Sequence, residues 1–279
     1  MNVSSSYLSS GGGLSVFDCH AHMTDTEFSN DLENVLEMCN ATGVQGLVCV
    51  SSGVHDSEKV LQLGSKHPSV IPSVGLHPEF ANISDLPTII TQITQYHDQL
   101  ASVGEVGLDY SPHILGEGEA EERKAIQREV FSQQVLKAVE LDLPLNVHSR
   151  AAGHHTLDLL RELGATRVVM HAFDGRAHYA ERAVSESGYY FSVPPCIVRS
   201  PQLQKLVRRL PLDHLLLESD SPALAPVKGE RNCPSNIIVS CEEIAKIKQV
   251  SVQEVAAITY ANAMKLLNIP ETFQQTIIN

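Results

Sequence analysis

Short runs of continuous apolar residues alternate along the chain with longer stretches whose apolar positions recur at helical spacing. The short runs predict strands over residues 14–19, 44–50, 70–76, 101–108, 143–147, 168–170, 189–193 and 214–217. Residues 32–39, 57–66, 119–141, 156–163, 178–187 and 202–210 read as amphipathic helices between them, and 237–249 and 252–267 as two more that complete an outer ring. Strands that are apolar throughout need cover on both faces, which right-handed helical crossovers supply. Eight such strands in about 260 residues predict a (β/α)8 TIM barrel of the α/β class rather than an open sheet. No linker, low-complexity block or repeat breaks the pattern, so residues 14–279 read as one barrel domain. Residues 1–13, rich in Ser and Gly, read as a flexible tail without the basic and apolar regions of a secretory signal.

In a barrel of this kind the chemistry sits at the C-terminal ends of the strands, so the residues that close each apolar run are the ones to inspect. The first run ends in His20 and His22, which alternate-residue geometry places on one side of a strand, within reach of one cation. The fourth carries Glu105 in Gly104-Glu105-Val106-Gly107-Leu108-Asp109. The fifth ends at His148, the sixth at His171 and the eighth at Asp220.

A lone histidine at a strand end is ordinarily packing, but six such positions in step with the strand count point to a metal cage. Six ligands exceed one closed tetrahedral ion and suit two divalent metal ions bridged by a carboxylate. Glu105 is the expected bridge, with His20, His22 and Asp220 on one side and His148 and His171 on the other. Asp18 and Glu218 read as residues that orient the histidines.

His77, after the third run, is a candidate substrate contact, though a capped turn explains it nearly as well. His154 and His155 open a helix, where surface and phosphate-facing roles are both open and the surface reading is preferred. Arg150, Arg176 and Arg231 are the cations suited to gripping phosphate oxygens.

The formal net charge of −13 argues against broad affinity for nucleic acid while leaving room for a local phosphate site. No apolar run reaches the ~18 residues that would mark a membrane span. The six cysteines form no Cys-x-x-Cys pair and lie mostly in apolar surroundings. They predict buried thiols in a reducing compartment, hence an intracellular protein of the cytoplasm or nucleus, expected to be a monomer.

Five stretches together resemble the TatD family of metal-dependent deoxyribonucleases: Asp18-Cys19-His20-Ala21-His22, the Glu105 run, Pro144-Leu145-Asn146-Val147-His148-Ser149-Arg150, His171-Ala172-Phe173-Asp174-Gly175 and Leu217-Glu218-Ser219-Asp220-Ser221-Pro222. The resemblance implies a TIM barrel of the amidohydrolase superfamily that hydrolyses DNA phosphodiesters, with 3′–5′ exonucleolytic and endonucleolytic action both open. It implies metal-ligand roles for His20, His22, Glu105, His148, His171 and Asp220. Gly229-Glu230-Arg231-Asn232-Cys233-Pro234 resembles the family's loop after the last strand, which implies a substrate-side role for Arg231.

The chain departs from the pattern at Cys19, at Ser219, at Ser111-Pro112-His113, where a basic residue is common, and at His154, where an acidic one is common. Four imidazoles favour zinc for binding, with magnesium or manganese open as the activating ion. Asp220 is the expected base. Two other readings remain: an amidohydrolase acting on a small amide, lactone or phosphoester, and a metal-binding module without turnover. Members with the former activities often carry a carboxylated lysine where Glu105 stands.

Overall fold

The structure is a computed structural model that describes residues 13–269 and Phe273. The expected tail over residues 1–13 lies outside the described residues except for Gly13. Eight parallel strands follow one another in chain order: β1 (Val16–Ala21), β2 (Val44–Val50), β3 (Val70–Val74), β4 (Ser102–Asp109), β5 (Leu145–Arg150), β6 (Val168–Met170), β7 (Tyr190–Val193) and β8 (Leu215–Leu217). After β8 the chain returns to β1, where Asp220 N donates to His20 O at 2.9 Å and His22 N donates to Ser221 O at 2.8 Å. Closure of the barrel therefore passes through the residues that the sequence marks as chemical.

The helices are α1 (Leu32–Ala41), α2 (Val54–Lys66), α3 (Leu86–Tyr96), α4 (Pro112–Leu115), α5 (Ala120–Glu140), α6 (Gly153–Glu162), α7 (Ala177–Ser187), α8 (Pro201–Arg209), α9 (Ile237–Lys248) and α10 (Val252–Leu266). Among the described residues, none is long and apolar enough to cross a membrane.

Helix α3 is absent from the sequence reading. Its Ile and Thr residues weaken the intrinsic helical signal because their χ1 freedom is restricted in a helix. The Thr91 and Thr94 hydroxyls donate to carbonyls one turn back, and Ile89 and Ile93 are buried at i,i+4 spacing. Tertiary packing overrides local preference there.

Three strands also run further than the apolar pattern indicates, β4 by the single residue Asp109. β1 continues through His20 to Ala21, and β5 continues through His148 to Arg150. Polar side chains facing the lumen interrupt the hydrophobic pattern without interrupting the backbone ladder.

The strands alternate between two buried layers. Leu145, Val147, Val168, Met170, Leu215 and Leu217 join the large cluster between barrel and helices. Val169, Tyr190 and Leu216 belong to a second cluster with Phe17, Val48, Val50 and Ile71, completed by Ala263, Leu266 and Phe273. That second cluster fills the bottom of the lumen. Two residues further along the same strands stand His171, Ser192 and Glu218, so the period of two carries each lumen-facing position from an apolar floor to a polar mouth.

Candidate metal centre

The mouth gathers side chains from five strands or the turns that follow them. His20 and Glu105 stand on β1 and β4, His148 on β5, His171 directly after β6 and Asp220 shortly after β8; all are buried, and His22 is half-buried. The chain turns sharply where these groups are presented. Asp220 and Ala172 adopt left-handed conformations with φ of 54° and 40°. Such backbone costs about 1–3 kcal/mol per residue and tends to cluster at functional sites.

Glu105 lies at the centre, its two carboxylate oxygens facing different imidazoles. Oε2 is 3.6 Å from His20 Nε2 and 3.3 Å from His22 Nε2. These two nitrogens are 3.3 Å apart, and each is 3.5 Å from Asp220 Oδ1. Bonds of about 2.0–2.1 Å to a tetrahedral ion imply ligand separations of roughly 3.3–3.4 Å. His20 Nε2, His22 Nε2 and Asp220 Oδ1 are thus spaced as corners of one coordination shell, with Glu105 Oε2 within 3.6 Å of both imidazoles. Glu105 Oε1 faces His148 Nδ1 at 2.9 Å, His77 Nε2 at 3.5 Å and His171 Nε2 at 3.7 Å. The His20 and His171 rings stack at 3.7 Å and tie the two sets together.

Behind the imidazoles stand groups that fix their tautomers. Asn146 Oδ1 accepts from His20 Nδ1 at 2.8 Å, while the Asn146 amide donates to Cys19 O at 2.9 Å. That arrangement leaves the His20 Nε2 lone pair facing the centre. Glu218 accepts from His171 Nδ1 and from Ala172 N, each at 2.9 Å. Asp109 Oδ2 is 3.2 Å from His148 Nε2, and its other oxygen is held by Ser111. Asp18 Oδ1 accepts from His20 N and Ser219 N, pinning β1 to the turn after β8.

The charges of the donor groups describe what the site is built to receive. Burial and His171 push His20 down to about 4, so it is neutral. Burial opposes charge on His22 as well, but hydrogen bonds to Asp220 and Glu105 outweigh it and raise the group to about 10. At His171 burial is likewise overcome, by Glu218 and Asp220, and the imidazole rises to about 9. Glu105 is held well below the usual carboxylate range despite its burial, by His77 and His20 and by hydrogen bonds from His148 and His22. Asp220 is lowered in spite of burial by His171 and His22. Ionised carboxylates in a buried pocket hold protons on neighbouring imidazoles where a divalent cation would otherwise balance them. The residues present fit a metal group in donor chemistry, spacing and charge.

The other expected substrate contacts divide. His77 is brought to the centre, and its Nδ1 accepts from Glu79 N at 3.2 Å. Burial pushes the ring down to about 3. A neutral histidine whose Nδ1 is an acceptor carries its proton on Nε2, so His77 presents a donor to the site. Arg150 is exposed at the end of β5, on the rim. Arg231 lies elsewhere on the mouth, gripping Asp31 through two contacts of 3.0 and 2.6 Å and resting over Phe28.

Asn146 and Asp109 lie within the motif stretches, but the motifs alone assign neither a role. The signal for Asn146 was available, since it precedes His148 by two residues and so shares its face of β5. Asp109 faces His148 through the pairing of β4 with β5, which sequence spacing does not disclose.

A parallel barrel whose mouth holds buried imidazoles and carboxylates at coordination spacing defines a metal-dependent hydrolase of the TIM-barrel class. The model of the TatD related DNase family matches residues 17–268. The chain belongs to that family. It is 44% identical over 264 residues to deoxyribonuclease TATDN3 of Homo sapiens, covering 91% of this chain and 95% of the relative. It is 31% identical over 264 residues to the metal-dependent hydrolase YabD of Bacillus subtilis, covering 91% and 99%. The crystal structure of YJJV, a TatD homologue from Escherichia coli, superposes with a TM-score of 0.83 at 26% identity, covering 91% of this chain and 98% of the other.

Proposed function

We propose that the chain hydrolyses DNA phosphodiester bonds with two divalent ions, one held by His20, His22 and Asp220, the other by His148 and His171, and Glu105 shared between them. The observation that carries this reading is the division of Glu105: Oε2 faces His20 and His22, while Oε1 faces His148 and His171. Bound there, divalent ions supply polarisation of a phosphoryl oxygen and a water acidic enough to attack near neutral pH. Imidazole-rich sites favour zinc for occupancy, with magnesium or manganese as the ions to test for activity.

The protein's own groups complete the chemistry. Asp220 is ionised at the edge of the lumen and accepts the proton of the attacking water. His77 donates from Nε2 to a non-bridging phosphate oxygen, and because it is neutral it does so without adding charge. Arg150 meets the phosphate of the incoming strand from the rim. Arg231 contributes from the far side of the mouth once its hold on Asp31 is exchanged for phosphate. The six cysteines are free thiols, five of them buried, which supports placing the protein in a reducing compartment, cytoplasm or nucleus.

The test is product analysis. End-labelled DNA is incubated with chelator-treated protein restored with zinc, manganese or magnesium, beside small amide, lactone and phosphoester substrates. Cleavage of DNA that is abolished by chelator and restored by metal is the expected result. Turnover confined to the small substrates, or none with any ion, overturns the reading.

A further inference from the structure

Outside the metal centre, five rings line up along the rim on the β4–β6 side. Tyr110 and His155 have centroids 5.6 Å apart, His155 and His154 3.8 Å, His154 and Tyr179 5.5 Å, and Tyr179 and His178 4.0 Å. The three histidines are exposed and the two tyrosines half-buried. These rings come from the end of β4, the first turn of α6 and the first turn of α7, so the tertiary fold assembles them. Isolated exposed aromatics need no explanation, but a continuous strip of them on a water-facing rim marks a contact surface.

Two further observations indicate what the strip contacts. Lys124 lies 5.4 Å over the Tyr110 ring, although paired with Glu121, and Arg128 acts on the same phenol. Cations therefore stand at the Tyr110 end of the strip, in a chain whose net charge is −13. The strip also begins at the metal centre: Tyr110 follows Asp109, which lies 3.2 Å from His148, and Tyr110 N donates to Arg150 O at 3.0 Å. Flat π faces with cations beside them recognise bases and phosphates of a single strand, because a paired base presents no free face.

We propose that this strip holds the unpaired bases of the DNA segment adjoining the scissile phosphate. The inference rests on the nuclease reading of the metal centre and assigns the strand its path out of it. Tyr110 takes the first base, and the His155–His154–Tyr179 rings take those beyond.

Binding is measured in chelator, where no hydrolysis occurs, by fluorescence anisotropy of a labelled twelve-nucleotide oligothymidylate and of a labelled duplex of the same length. The double variant His154→Ala/His155→Ala and the variant Tyr179→Ala are expected to bind the single strand about fivefold to a hundredfold more weakly. Duplex affinity should change less than twofold. His154→Phe and Tyr179→Phe, which keep a ring at each position, should retain single-strand binding within twofold. With metal restored, all variants should hydrolyse bis(p-nitrophenyl) phosphate, which carries no bases, at the wild-type rate within twofold. Unchanged single-strand affinity in the alanine variants, or equal weakening toward both DNAs, overturns the strip. Absence of DNA hydrolysis by the wild-type protein, with the binding pattern as expected, overturns the nuclease reading and leaves the strip standing.

Discussion

The two faces of the Glu105 carboxylate look onto imidazole sets that are supported differently. On the Oε2 side, His20 is backed by the neutral amide of Asn146, and a second carboxylate, Asp220, stands among the donors themselves. On the Oε1 side, Glu105 is the only carboxylate oxygen among the donors within the described residues, and the charge stands behind the histidines instead. Glu218 backs His171 and Asp109 backs His148. A carboxylate behind an imidazole raises its basicity as a ligand and fixes its orientation. The site thus brings negative charge to both halves, in the donor set on one side and one bond further out on the other.

The largest expected effect comes from the residue the halves share. Glu105→Ala should abolish metal-dependent DNA hydrolysis, a loss beyond the roughly 100-fold upper range seen for outer-shell partners. It should also reduce bound metal in both halves by elemental analysis, whereas Asp220→Ala should abolish hydrolysis while emptying the Oε2 half alone. Full activity in either variant removes the basis of the comparison.

The supporting groups come next. Glu218→Gln and Asp109→Asn are each expected to weaken metal affinity or activity by roughly 10- to 100-fold, and Asn146→Ala by the lower end of that range. Titration of chelator-treated variants with zinc reads the difference. An Asn146 effect as large as that of Glu218 would show that charge behind the ring is not what distinguishes the halves.

Protons report on the same contrast. In the metal-free protein His22 is raised to about 10 and His171 to about 9, so both are protonated at neutral pH. Metal must displace those protons, so affinity should rise as pH increases from 6 toward 9. Calorimetry in buffers of different ionisation heat should detect proton release on binding. Affinity that is flat across that range contradicts the protonation pattern.

A backbone change should have a smaller effect. Gly107 has φ of 149°, and a Cβ there would lie 2.0 Å from the carbonyl oxygen of His148. Gly107→Ala should destabilise the fold by more than about 1 kcal/mol, seen as a lowered Tm, and disturb the Oε1 half before the Oε2 half. The smallest effect is expected at Arg231, whose solvent-screened pair with Asp31 contributes little to stability. Arg231→Ala should leave Tm within a degree or two and raise KM for DNA. An unchanged KM removes it from the substrate side.

Much of this architecture could be read in the residues because strand and helix periods are local. β2 and β6 match their apolar runs residue for residue, and the other six strands lie within a few residues of theirs. Helix α3 escaped because β-branched side chains mask a helical spacing that only burial against the barrel makes stable. At the site, polar residues closing apolar strands could be found without coordinates because a barrel presents every such position at one mouth. The roles of Asp109 and of the ring strip could not, since they depend on which neighbours the register and the first turns of α6 and α7 bring together.

What the sequence determined by itself is the set of strand-end imidazoles and carboxylates and the barrel that collects them, because both follow from periods of two and 3.6 along the chain. The tertiary structure decided how that set is used. It turned the two oxygens of Glu105 to different partners, put an amide behind one histidine and carboxylates behind two others, and gave His77 the tautomer of a donor. These are matters of ångströms across strands far apart in sequence, where hydrogen-bond geometry and burial, rather than residue identity, set the protonation state and the direction of each group.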